Sequence, residues 1–77
     1  MSVSEIADNY ERDYGFMALN ATMKHAQMSD KVHADFLIDE LKGVYDELLR
    51  RGHKLITSKQ EYEEAVAIHG TPKAFQP

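Results

Sequence analysis

The chain has 77 residues and a mass of 8.8 kDa, room for one small domain and not for a second. It contains no cysteine, which excludes disulfides, thiolate metal sites, iron–sulfur clusters and a cysteine nucleophile. Nine Lys and Arg stand against thirteen Asp and Glu, and the net charge of −4 argues against a general nucleic-acid coat.

The first residues, Met1-Ser2-Val3-Ser4-Glu5, lack the cationic region and apolar run of a secretory signal. No stretch approaches the ~18 apolar residues of a membrane span. The expectation is a cytoplasmic protein without a membrane partner. Asn20-Ala21-Thr22 matches the glycosylation sequon, which has no meaning in an unsecreted chain.

Three helices are predicted, and nothing reads as a strand. The first opens at Ser2, where Ser2-x-x-Glu5 forms a capping box and Met1 and Ile6 stand at staple positions. Its apolar positions run Val3, Ile6, Ala7, Tyr10, Tyr14, Met17, Ala18, Ala21, His25 and Met28, in the steps of three and four that mark one helix face. Gly15 interrupts the pattern and is the place for a break or kink. A second stripe, Phe16, Leu19, Met23 and Ala26, follows it, so residues 16–28 are apolar on two faces.

The second helix is capped at Ser29, with Asp30 at its positive end. Its stripe is Ala34, Leu37, Ile38, Leu41, Val44, Tyr45 and Leu48. Acidic and basic residues fill the opposite face, and Val32, Phe36 and Gly43 share a flank. Arg50 and Arg51 suit the negative terminus, and Gly52 stands at the left-handed position that ends a helix. His53 to Thr57 connect, with Leu55 and Ile56 expected to tuck under the bundle. The third helix opens with a second capping box, Ser58-x-x-Glu61, and stops at Gly70 and Pro72. The fold expected is an all-α three-helix bundle: an antiparallel hairpin of the first two helices, with a shorter third packed across it. Residues 1–70 form the domain and 71–77 an extended tail.

Chemistry-bearing groups are sparse. Asp30 and His33 share a helix face, and His25 and His69 edge the apolar stripes, but a di-iron set of Glu-x-x-His motifs is missing. His33 and His53 read as solvated helix-end residues, and no metal or cofactor is expected. The serines have capping roles, Asp13 has Arg12 or Lys24 to pair with, and no glycine-rich phosphate loop exists, so no catalytic residue and no enzymatic activity are expected.

Two charged regions and one apolar surplus remain. Arg50, Arg51, His53, Lys54 and Lys59 form a basic run with no acid among residues 50–60, which supports a nucleic-acid contact. Glu61, Glu63 and Glu64 at the start of the third helix oppose groove reading, so nucleic acid is an alternative only. Asp35, Asp39, Glu40, Asp46 and Glu47 form an acidic face that could act as a decoy in another protein's basic groove or steer association. Phe16, Leu19 and Met23, with Phe36 nearby, exceed what one small core can absorb. They point to a non-enzymatic interaction or regulatory module that binds a protein partner, itself or another, with a homodimer favoured.

Overall fold

The computed structural model describes residues 2–28 and 34–77, and in the stretch 34–38 the backbone alone. The elements are α1 (Val3–Tyr14), a 3-10 turn (Gly15–Met17), α2 (Ala18–Met28), α3 (Ala34–Arg50), α4 (Lys59–His69) and a second 3-10 turn (Lys73–Phe75). No strand occurs among the described residues. The molecule is the expected compact all-α fold, with the first helix long and bent into α1 and α2. Met1, Ser29, Asp30, Val32 and His33, named in the capping, metal and flank readings, lie outside the described residues, as do the side chains of Asp35 and Phe36.

The helix ends follow from local chemistry. Ser2 is extended at φ −78° and ψ 159°, and its Oγ accepts the Glu5 amide at 3.1 Å. Ser58 does the same for Glu61 at 3.1 Å. Here the box differs from expectation, because the Glu61 carboxylate accepts from the Thr57 amide at 3.1 Å, one residue before the cap. At the end of α3, Gly52 takes φ +91°; its amide donates to the Leu49 carbonyl and that of His53 to the Leu48 carbonyl, both at 3.0 Å. That bond pair is the Schellman motif, and the positive φ explains the glycine.

Gly15 breaks the first helix. It sits at φ +53°, its amide bonds back to the Glu11 carbonyl, and the chain passes through a 3-10 turn before resuming as α2. The bend lets α1 and α2 both pack on α3. The buried core is Ala7, Ala18, Leu19, Val44 and Leu48, walled by Val3, Ile6, Tyr10, Tyr14, Tyr45 and Leu55. Alanines at 7, 18 and 21 bring the backbones close, and each fully buried leucine contributes roughly 1.5–3 kcal/mol. Gly43 permits another close approach: a Cβ there would stand 3.2 Å from Val3 Cγ2. α1 therefore covers the flank of α3 at Gly43.

The tail is not extended throughout. Pro72 is buried, the 3-10 turn follows, and Phe75 packs edge-on against Tyr14 and Tyr62 at centroid distances of 6.1 and 6.5 Å. Ring contacts with α1 and α4 outweigh the freedom of a short terminal segment, although Phe75 stays 45% exposed. Among the described residues no helix is long and apolar enough to cross a membrane.

Candidate interaction surfaces

The apolar surplus resolves into three different fates. Leu19 is fully buried, so its assignment to a partner surface is corrected: the bend at Gly15 turns it into the core. Phe16 is half-buried and is covered by α4, with ring centroids 5.7 Å from Tyr62 and 6.0 Å from His69. That contact corrects its reading as a free surface residue. Met23 remains 42% exposed and is the part of the stripe left for a partner. With Thr22, Ala26, Leu41, Lys42 and Tyr45 it lines a groove of about 190 Å3 between α2 and α3.

The basic run also divides. Arg51 is engaged inside the molecule. Its Nη1 donates to Asp8 Oδ1 at 2.7 Å and to Glu11 Oε1, and its Nη2 donates to Ser4 Oγ at 3.0 Å. Glu47 stands 3.8 Å from its Nε. The fork that a phosphate would need is spent on joining the end of α3 to α1, which corrects its reading as an open electrostatic contact. Arg50 is exposed and pairs with Glu47 at 3.3 Å, while Lys54 is exposed. Asp39 is exposed and Glu40 partly so; Glu47 is held by the two arginines, which interrupts the acidic row.

His53 is not a solvated end residue. Its Nε2 lies 2.8 Å from Glu11 Oε2, and its side chain is only 18% exposed. Glu11 is held below the usual carboxylate range, first by this hydrogen bond and then by Arg51, so it is ionised and accepts. The His53 Nε2 therefore carries the proton. His25 meets Tyr10, whose hydroxyl is 2.9 Å from Nδ1. Burial and then the neighbouring Tyr14 raise the Tyr10 pKa, so the phenol keeps its proton. Asp13 pairs with Arg12 at 3.0 Å, one of the two partners expected. Among the described residues no three His, Asp or Glu side chains form a group able to hold a metal.

Asn20 has a role that its sequence context hides. Its Nδ2 donates to the Ile56 carbonyl at 2.9 Å, and its Oδ1 accepts from the Ile56 amide at 3.0 Å. The side chain thus satisfies both backbone groups of one residue and clamps the α3–α4 connection to α2. A glycan on Nδ2 would break that clamp. An asparagine between two apolar stripes is the only sequence hint.

Two further grooves exist among the described residues. One of about 360 Å3 lies between Tyr14, Met17, Lys24, His25 and Phe75. Another of about 470 Å3 lies beneath α4. No family model matches the sequence, and no curated protein or solved structure is significantly similar to it.

Proposed function

We propose that the chain is a non-enzymatic interaction module that pairs with a second copy of itself across the α2–α3 face. The observation that carries this reading is the Met23 groove. Its lining is apolar apart from Lys42 and Thr22, and the Thr22 hydroxyl is turned inward, donating to the Ala18 carbonyl at 2.9 Å. Leu49, 46% exposed, stands one turn beyond Tyr45 on the same side of α3.

Two considerations support a second copy as the occupant. Asp39, Lys42 and Asp46 share an exposed flank of α3. Two α3 helices meeting antiparallel set Lys42 of each copy against Asp46 of the other, the self-complementarity that a two-fold interface needs. Methionine also adapts well to an apolar interface. The nucleic-acid alternative is weaker because Arg51 is already committed to carboxylates. The decoy alternative is weaker because Glu47 is neutralised by arginines.

The test is Met23→Asp on a sizing column, with far-UV circular dichroism alongside. The variant should elute as a monomer of 8.8 kDa with its helicity intact, while the parent elutes as a dimer. A variant that keeps the parent's elution volume would overturn the reading.

A further inference from the structure

The 470 Å3 groove beneath α4 plays no part in that self-association, and its size falls in the roughly 300–1,000 Å3 range of small-molecule sites. Its walls are α4, the Gly15 bend and the connection after α3. Phe16, Ile56 and Ala65 supply apolar surface; Lys54, His53 and His69 supply cationic or hydrogen-bonding groups, and no carboxylate lines it. The nearest acid behind His53 is Glu11, whose charge is already met by His53 and Arg51.

The backbone keeps the space open. Gly15 and Gly52 both line the groove at positive φ, and a Cβ on Gly52 would meet nothing within 4 Å. α4, the far wall, has no fully buried residue, so its interface with the bundle is underfilled. The segment from Arg50 onward carries five basic and three acidic residues in an otherwise acidic chain, so the local field favours an anion.

We propose that this groove binds a small organic monoanion, its carboxylate at Lys54 and His69 and its apolar body on Phe16, Ile56 and Ala65. Lys54 and the His69 imidazole, with the His53 Nε2 already given to Glu11, match a single negative charge better than a phosphate dianion. Hexanoate titrated into the isotope-labelled full chain tests this, with hexylamine as the control of equal length and opposite charge. Hexanoate should produce saturable amide shifts at Gly52, Lys54, Ile56 and Ala65, and hexylamine should not. Lys54→Gln should weaken hexanoate binding about fivefold, the effect of one solvent-exposed charge contact. Ala65→Phe should fill the groove and abolish the shifts. Because Ala65 contributes to the seat of α4, the Lys54→Gln result decides if the phenylalanine variant unfolds. No saturable shift, equal shifts with hexylamine, or unchanged binding in Lys54→Gln would each overturn the proposal.

Discussion

Leu19 and Met23 stand one turn apart on α2, and truncating each to alanine separates core from interface. Leu19 is fully buried between α1 and α3, so Leu19→Ala removes three carbons from a closed site and should cost about 2.7–5 kcal/mol. A chain of this length has a total stability of only about 4–12 kcal/mol. The substitution therefore removes about a quarter of it at the least, and the urea midpoint should fall sharply with little change in slope. Met23 is 42% exposed over an open groove, so Met23→Ala should cost about 1 kcal/mol or less. Both are measured by urea unfolding at protein concentrations low enough to dissociate a dimer. A loss under about 1 kcal/mol for Leu19→Ala, or equal losses for the two variants, would refute the core assignment.

Two other outcomes follow from hydrogen bonds. Asn20→Ala strips the Ile56 amide and carbonyl of their partner and should cost about 1–3 kcal/mol in thermal or urea unfolding; Asn20→Asp, which keeps the acceptor, should cost less. Glu11 is held below its ordinary value of 4.5 by His53 first and Arg51 after desolvation, so its contribution to stability is present above pH 4.5 and is lost as pH falls through the lower folded-state value. Glu11→Gln should flatten the stability curve on the acid side and lower the plateau at neutral pH; an unchanged acid slope would contradict the pairing.

The sequence is most legible where the physics is local. The serine caps at Ser2 and Ser58 and the glycine stop at Gly52 need only neighbouring residues and form at the expected positions, while the Glu61 half of the second box goes to Thr57 instead. Val44 and Leu48 sit in the core because α3 is regular and its stripe keeps one direction. The stripe after Gly15 was harder. A 3-10 turn advances about 120° per residue instead of 100°, and a positive φ redirects the chain, so periodicity cannot be carried across residues 15–17. Leu19 is turned inward, and Phe16 falls under α4.

Arg51 and His53 depart from the sequence expectation for a related reason. Their partners Ser4, Asp8 and Glu11 lie some forty residues earlier and come beside them only once α1 packs on α3. Two prolines flank the tail and by themselves imply an extended segment. Phe75 docks because Tyr14 and Tyr62, from two other elements, each present a ring to it.

The most direct test of the central claim is the molar mass of the unaltered chain in solution, by light scattering on a sizing column at low and at high salt. Self-association through the Met23 face predicts about twice 8.8 kDa at both, since apolar burial tolerates salt and screening relieves the repulsion between chains of net charge −4. A mass of 8.8 kDa at every concentration and salt would contradict it.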